Sequence, residues 1–277
     1  MVAINPLDVI LWTIRRNEKD VINLYNSLSP VMQTATGGSM LNFGYWTEKI
    51  NKPILAQENL CEFFGRLSEL ENATTVADVG SGLSAPAIFW RNTYPKLNLF
   101  CININYNQLQ FSGPEKNIDF VNSTSTKLPF SNHSVDRVLA LESPQHFKPL
   151  EDFVSESKRI LKKSGIFAIA LPVTLPHTSS RDLGILKFTW SSEHYDADFI
   201  KKLVSKKGFK IIEEHLIGNH VYDPLSDYYS LNREVLKNSI KQKYPNFVEK
   251  ILFKSLLKMK KASKDKIIDY LILKCKL

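Results

Sequence analysis

The stretch Val76-Ala-Asp-Val-Gly-Ser-Gly-Leu-Ser84 decides the fold of this chain of 277 residues. Its apolar start is typical of a buried strand, and Gly80 and Gly82 turn the chain into a predicted helix over residues 85–94. Glycines let the backbone approach a ligand closely, and open α/β sheets bind ligands at such turns. A phosphate site favours backbone N–H groups and basic side chains. Asp78 instead suits a ligand with positive groups, such as an amino acid moiety, although it is also compatible with a plain helix cap.

Around this turn, apolar runs of strand length alternate with segments of helical period. Strands are predicted over 75–79, 97–104, 118–121, 135–141, 166–171 and 209–217, and helices over 8–28, 53–70, 106–111, 150–163 and 196–207. This alternation predicts an α/β fold whose mostly parallel sheet is covered by helices on both faces. The segment 172–194 has no clear period and is expected to form a cap or hairpin over the site.

Composition favours one soluble domain of about 200 residues with additional helices. Apolar residues make up 43% and charged residues 23% of the chain, and no run approaches the roughly 20 apolar residues of a spanning helix. Cys61, Cys101 and Cys275 are too few and too scattered for a disulfide framework or a zinc site. The histidines show no metal-ligand spacing, so we predict no metal and a cytoplasmic setting.

The net charge of +8 comes from the C-terminal part of the chain, because residues 201–277 carry 18 Lys/Arg against 8 Asp/Glu. Lysines of residues 250–276 alternate with apolar residues at helical spacing, including Ile251, Leu256, Ile268 and Ile272, which predicts one or two basic helices. These helices are expected either to make weak contact with an anionic membrane surface or nucleic acid, or to present an ordinary solvated face.

Six motifs in chain order resemble the class I S-adenosylmethionine-dependent methyltransferases, and most closely the small-molecule branch of macrolide, sugar and microcystin-type tailoring O-methyltransferases. The motifs are Asn42-Phe-Gly-Tyr-Trp46, Asp78-Val-Gly-Ser-Gly82, Ile102-Asn-Ile-Asn-Tyr-Asn-Gln108, Leu128-Pro-Phe130 with Ser134-Val-Asp136, Leu141-Glu-Ser-Pro-Gln-His146 and Val221-Tyr-Asp-Pro-Leu225. The resemblance implies a Rossmann-like, doubly wound, mostly parallel seven-stranded sheet with N-terminal helices and a C-terminal helical extension. It divides the chain into a cofactor-covering segment (1–72), a methyltransferase core (73–225) and a basic helical extension (226–277).

The resemblance also implies S-adenosylmethionine as the cofactor. In it the glycine turn brackets the methionine end, the end of the second strand lies near the ribose, and two aromatic residues cover the cofactor from the N-terminal side. The positions that carry over are Tyr45, Trp46, Asp78, Gly80, Gly82, Asn103, Ile104, Gln108, Ser123 and Thr124. Two departures stand out, because the third glycine of the turn is Ser84 here and an Asp usually held near the adenine amino group is Thr124.

The segment after the fourth strand is the methyl-transfer site in relatives, and His146 stands where they place a catalytic histidine. Many relatives have two adjacent histidines, whereas Gln145 leaves this chain one obvious base. A histidine with a pKa of about 6.5 can take a proton from a hydroxyl at neutral pH. We therefore predict His146 as the general base and Glu142 as the residue that orients the acceptor or cofactor; each could instead have only a packing role.

An apolar acceptor pocket lined by aromatic side chains is a further expectation, and these side chains are equally compatible with a plain core. The candidates are Trp12, Phe43, Tyr45, Trp46 and Trp190. The acceptor is expected to be a small metabolite of secondary metabolism, such as a polyketide, peptide or sugar.

Nitrogen and carbon acceptors stay open beside a hydroxyl, as does a non-catalytic, cofactor-binding or membrane-docking protein. A nucleic-acid methyltransferase is the remaining class. Glu142-Ser-Pro-Gln145 argues against it, because base-amino methyltransferases grip a flipped base with an Asn/Asp-Pro-Pro-aromatic segment. The sequence carries no signature of the oligomeric state.

Overall fold

Seven strands form one sheet in the structure, a computed structural model that describes residues 6–190 and 193–277. The strands are β1 (Thr75–Val79), β2 (Asn98–Asn103), β3 (Ile118–Asn122), β4 (Val135–Leu141), β5 (Leu161–Thr174), β6 (Lys210–Leu216) and β7 (Ile268–Lys276). Their spatial order is β3-β2-β1-β4-β5-β7-β6. β1 to β5 pair in parallel and β7 is antiparallel to both of its neighbours. The predicted mostly parallel, seven-stranded α/β sheet is therefore confirmed.

The helices fill the connections between the strands and extend the chain at its N-terminal side. They are α1 (Pro6–Arg15), α2 (Glu18–Thr36), α3 (Pro53–Leu67), α4 (Ala85–Thr93), α5 (Tyr106–Leu109), α6 (Leu150–Ile160), α7 (Ser180–Leu183), α8 (Leu186–Thr189), α9 (Ala197–Lys206), α10 (Tyr222–Leu231), α11 (Arg233–Lys243) and α12 (Asn246–Lys264). Short 3-10 helices span Leu70–Asn72, Pro144–His146 and Gly218–His220.

The single helix predicted over residues 8–28 is two helices, because the chain breaks between α1 and α2. Arg16 has a left-handed φ of 54°. Asn17 then caps α2 by accepting the N–H of Asp20 at 3.0 Å, and the Asp20 carboxylate accepts the N–H of Asn17 at 3.3 Å. This reciprocal capping box fixes the start of α2 at Glu18.

The two faces of the sheet bury separate apolar cores, as the alternation of side chains along a strand requires. In β1, Val76 joins the core that includes Phe64 of α3 and Trp90 of α4. The next residue, Ala77, joins the core on the other face, which includes Phe153 of α6. The order of strands reverses between β1 and β4, and a ligand crevice is expected at the carboxyl ends of strands at such a point.

The C-terminal part corrects one prediction. Residues 246–264 form a helix as expected, but the helix predicted to continue through Ile268 and Ile272 is wrong, because these residues belong to β7. Nine residues of β7 pair with β5 along Ile166–Thr174, so the predicted C-terminal extension contributes a strand to the core sheet. Lys274 illustrates the change: its buried ammonium group contacts Glu213 at 2.7 Å and Glu69 at 2.9 Å instead of solvent.

Helix α12 has two distinct sides. One side packs into the protein through residues such as Leu256 and Met259, which are 4% exposed. On the other side four lysines recur at intervals of four, four and three residues and share one helix face. We call Lys250, Lys254, Lys258 and Lys261 the outer lysine stripe. Within residues 6–190 and 193–277 no helix is long and apolar enough to cross a membrane.

Candidate active site

The glycine turn after β1 brings two strand ends into close contact. Gly80 has a φ of 76°, and a Cβ atom there would lie 2.4 Å from the Cβ of Ser143, which follows β4. The Gly80 N–H donates to the carbonyl of Ile102 in β2 at 2.7 Å, and the Ser143 hydroxyl donates to the carbonyl of Val79 at 2.7 Å. Only glycine fits at position 80, because both the backbone conformation and the available space exclude a side chain.

Ser84 occupies the position of the third glycine and adopts a left-handed φ of 59°. Its hydroxyl lies 3.3 Å from that of Ser81, and its side chain is fully buried. A non-glycine residue in this conformation stores strain at the start of α4. Because Ser84 nevertheless adopts the left-handed conformation that glycine favours, the turn keeps its shape without the third glycine of the family pattern.

Asp78 lies beneath the turn, on the face of β1 that carries Val76. Its carboxyl is buried, and Oδ2 has no hydrogen-bond partner in the described part of the chain. Burial raises the pKa of Asp78 from 3.8 to about 7. An unpaired buried carboxylate is costly unless a positive group compensates it. Asp78 is not among the residues that line the cavity above the turn, so its predicted contact with the cofactor stays a prediction.

A cavity of about 110 Å³ opens over the turn, and we call it the first cavity. Its floor is Gly80–Gly82, and its walls are the residues that follow β2, β3 and β4. The residues predicted for the cofactor that line it are Gly80, Gly82, Asn103, Ile104, Gln108, Ser123 and Thr124. Strands that end at one edge of a parallel sheet explain why residues so distant in sequence meet here.

Side-chain amides connect the first cavity to helix α2. The amide nitrogen of Asn103 donates to the carbonyl of Gly82 at 3.2 Å and to Oε1 of Gln108 at 2.9 Å. The amide nitrogen of Gln108 in turn donates to the hydroxyl of Ser29 in α2 at 3.0 Å. Asn103 and Gln108 thus fix the glycine turn and α2 relative to each other.

Helix α2, within the segment 1–72, lies over the first cavity, although none of its residues is among those predicted for the cofactor. Glu18, Val21, Ile22 and Tyr25 line it from this helix. The carboxylate of Glu18 accepts the hydroxyl of Thr124 at 2.6 Å. An acidic group therefore stands beside position 124 although the chain has no Asp there.

Tyr45 and Trp46, which were predicted to cover the cofactor, do not line the first cavity, so their contact with the cofactor stays a prediction. Tyr45 stacks on Phe63 of α3 with ring centroids 5.4 Å apart. Trp46 is 4% exposed, and its backbone N–H donates to the carbonyl of His220 at 2.8 Å. Both side chains anchor the N-terminal segment to the core.

A second, larger cavity of about 270 Å³ lies beside the first, between α2, α8, α10 and α12. We call it the second cavity. Phe43 and Trp190 line it as expected for an acceptor pocket, whereas Trp12, Tyr45 and Trp46 do not. Five residues line both cavities, and we call them the junction: Tyr25, Leu41, Asn42, Glu142 and His146.

His146 contributes its imidazole to the junction. Nε2 lies 2.8 Å from the hydroxyl of Tyr25 and 3.3 Å from the amide nitrogen of Gln145. That same amide nitrogen donates to the carbonyl of Glu142 at 2.7 Å, which fixes its orientation. An amide nitrogen can only donate, so Nε2 of His146 accepts and the ring proton is assigned to Nδ1. Burial lowers the pKa of His146 from 6.5 to about 4.

Glu142 contributes the second polar group of the junction. Its backbone has a left-handed φ of 50°, and its N–H donates to the carbonyl of Ala170 in β5 at 2.7 Å. Oε1 accepts the N–H of Phe43 at 2.8 Å. Burial raises the pKa of Glu142 from 4.5 to about 8, and the hydrogen bond from Phe43 partly opposes that increase. A carboxyl that titrates near neutral pH is typical of active sites.

Comparisons with known proteins agree with this arrangement. The family described as "Methyltransferase domain" matches residues 77–169. Erythromycin 3''-O-methyltransferase of Saccharopolyspora erythraea is 24% identical over 262 residues, which cover 87% of this chain and 86% of that protein.

Solved structures show the same fold. The cyclopropane synthase MmaA2 from Mycobacterium tuberculosis has a TM-score of 0.81 at 16% identity, over 94% of this chain and 98% of that one. Geranyl diphosphate C-methyltransferase from Streptomyces coelicolor A3(2), solved with Mg²⁺, geranyl diphosphate and S-adenosyl-L-homocysteine, has a TM-score of 0.73 at 11% identity, over 94% and 97% of the two chains. Residues 77–169 thus match a methyltransferase domain, and the comparisons together indicate that the protein is an S-adenosylmethionine-dependent enzyme that methylates small molecules.

Proposed function

We propose that this enzyme methylates a hydroxyl group of a small molecule held in the second cavity, with His146 as the general base. The observation that carries the proposal is the junction, where the cavity above the glycine turn and the cavity between the helices share five residues. A methyl group passes in line between a donor and an acceptor, so the two must meet at a common boundary. The junction is such a boundary.

The first cavity suits S-adenosylmethionine. Gly80 provides the close backbone approach, and the unpartnered Oδ2 of Asp78 suits compensation by the positive methionine end. The carboxylate of Glu18, held by the hydroxyl of Thr124, suits the adenine amino group. When bound, the cofactor supplies an electrophilic methyl group.

His146 would take the proton that the acceptor hydroxyl loses. Its low pKa keeps the imidazole neutral at neutral pH, and Nε2 already accepts a hydroxyl hydrogen bond, from Tyr25. The acceptor hydroxyl would take the place of the Tyr25 hydroxyl, gain a methyl group on oxygen and pass its proton to Nε2. Because a base of such low pKa is weak, we expect its contribution near the lower end of the usual 10²–10⁴-fold range, about 10².

Carbon methylation is the second candidate, and Glu142 favours it. A carboxyl with a pKa raised to about 8 is a stronger base than His146 and lies in the same junction. It could remove a proton from carbon after a methyl group has added to an alkene. Geranyl diphosphate C-methyltransferase has the same fold and a carbon acceptor. Its diphosphate does not suit this chain, because the described lining of the second cavity contains no Lys or Arg.

Mass spectrometry tests the proposal with S-adenosylmethionine whose transferable methyl group is CD₃. Extracts of cells that make this protein serve as the source of acceptors. An oxygen-linked CD₃ group supports the hydroxyl reaction, and a carbon-linked group supports the second candidate. His146→Ala should lower kcat about 10²-fold while S-adenosylhomocysteine still binds. His177→Ala, which removes an exposed histidine outside both cavities, is the control. Full turnover by His146→Ala would exclude this histidine as the base.

A further inference from the structure

We infer that the second cavity selects an uncharged acceptor with a mainly apolar carbon skeleton, and this inference rests on the proposed methyl transfer at the junction. The walls come from helices on opposite sides of the cavity. Apolar side chains that form them include Leu24, Leu28 and Val31 of α2 and Val248, Leu252 and Met259 of α12. Ligand sites of this kind bury an apolar body and fix its orientation with a few polar groups.

The charge of the lining excludes anionic acceptors. Among the described residues that line the second cavity there is no Lys, Arg or Asp, and the ionisable groups are Glu142, His146 and tyrosines. A carboxylate or phosphate would lose its hydration without gaining a cationic partner. A free sugar fits poorly too, because its hydroxyl groups point in all directions and the walls offer few partners.

The cavity has an apolar entrance and a polar end. Phe188 of α8 and Ile251 of α12 line it and are also 42% and 40% exposed, so the cavity reaches the surface beside these two side chains. The junction, with Glu142 and His146, lies at the boundary with the first cavity. An acceptor would therefore enter beside Phe188 and Ile251 and present its reactive group to the junction, while its apolar part stays between α2 and α12.

Binding of straight-chain primary alcohols tests this inference without any methyl transfer. Each methylene that leaves water should tighten binding about fourfold, and the trend should continue until the cavity is filled. The quantity to measure is the dissociation constant from hexanol to decanol, by the fluorescence of Trp190, with Trp190→Phe to assign the change. Decanoate should bind at least tenfold more weakly than decanol. A dissociation constant that does not change from hexanol to decanol, or equal affinity for decanoate and decanol, would overturn the inference.

Two substitutions on α12 locate the binding site. Leu252→Trp places an indole in the second cavity, whereas Leu257→Trp adds the same side chain at an exposed position outside its lining. We expect Leu252→Trp to weaken decanol binding at least tenfold and Leu257→Trp to change it less than twofold. If Leu252→Trp does not fold, Ala35→Leu fills the opposite wall, on α2. Equal effects of the wall and control variants would place the alcohol elsewhere.

Binding of S-adenosylhomocysteine, measured by calorimetry on the same variants, distinguishes a failure of the proposed methyl transfer from a failure of the inference about the acceptor. Loss of alcohol binding with retained S-adenosylhomocysteine binding supports the second cavity as the acceptor site. A wild-type protein that binds the alcohols but not S-adenosylhomocysteine would overturn the proposed function and leave the apolar site standing. Normal S-adenosylhomocysteine binding with no dependence on alcohol length would overturn only the inference about the acceptor.

Discussion

Replacing Asp78 with asparagine is expected to change the pH dependence of stability of the ligand-free protein. Burial raises the pKa of this carboxyl from 3.8 to about 7, so the folded state holds the proton more tightly than the unfolded chain. The stability that this group contributes is present below about pH 4 and is lost as the pH rises through about 7. At about 1.36 kcal/mol for each tenfold change in acid dissociation, the loss is about 4 kcal/mol, of which about 2.5 kcal/mol falls between pH 5 and pH 8.

Asparagine has the same shape and no charge, so this pH-dependent loss should be absent from Asp78→Asn. Its unpaired amide costs about 1–3 kcal/mol, but that cost is the same at both pH values. Urea unfolding at pH 5 and pH 8 should therefore show the variant gaining about 2.5 kcal/mol relative to wild type at the higher pH. Glu142 also titrates in this interval, but it is present in both proteins and cancels.

Asp119→Asn is the control, because it removes an exposed carboxylate from β3 of the same sheet. It should shift stability equally at the two pH values. If the Asp78→Asn difference from wild type were also the same at both pH values, the carboxyl would not be the uncompensated buried acid described above. In the same variant, S-adenosylhomocysteine should bind at least tenfold more weakly at pH 8, and unchanged affinity would remove Asp78 from the cofactor site.

Three further predictions concern the turn and helix α12. Gly80→Ala should lower the free energy of unfolding by much more than Gly113→Ala, for which a loss of about 1–2 kcal/mol is expected. Both glycines have a positive φ, but only a Cβ at position 80 would meet another residue. Equal losses in urea unfolding would contradict the close approach to Ser143. Ser84→Gly should raise the free energy of unfolding by up to about 1 kcal/mol, because glycine relieves the left-handed strain, and a lower melting temperature would count against that explanation. Replacing all four lysines of the outer lysine stripe with glutamine should lower the affinity for phosphatidylserine vesicles at least fivefold in low salt, as measured by co-sedimentation. Unchanged affinity would mean that this helix face is simply solvated.

The strands around the site were predictable because their patterns are local. β1 and β4 have the predicted bounds, since each is an apolar run that ends at a turn or polar residue. β7 was not predictable in the same way, because its apolar residues and lysines also fit helical spacing. Pairing with β5 and β6 decides its structure, and that pairing depends on residues about 100 and about 60 positions earlier in the chain.

The residues of the candidate site show the same difference between what can be predicted from sequence and what depends on the packing of distant segments. Residues at the ends of β2, β3 and β4 were found through the resemblance to a known family, and the topology of the sheet brings them together. The cover of the site depends on how the N-terminal segment packs, and no local pattern distinguishes Tyr45 from Asn42 in that respect. Glu18 and Tyr25 were missed for the same reason, since a surface helix and a covering helix have similar periods. The capping box at Asn17 could have located the start of α2, but not the cavity beneath it.

The position of β7 has a consequence for the biosynthesis of this protein. A ribosome delivers β5 well before β7, and residues 175–267 must be made in between. At about 5–20 residues per second, this interval is on the order of 5–20 s. Throughout it, β5 exposes an unpaired edge and β6 has no strand to join. The nascent chain thus carries an open edge of the kind that invites association with other chains, which makes it a natural client for a chaperone.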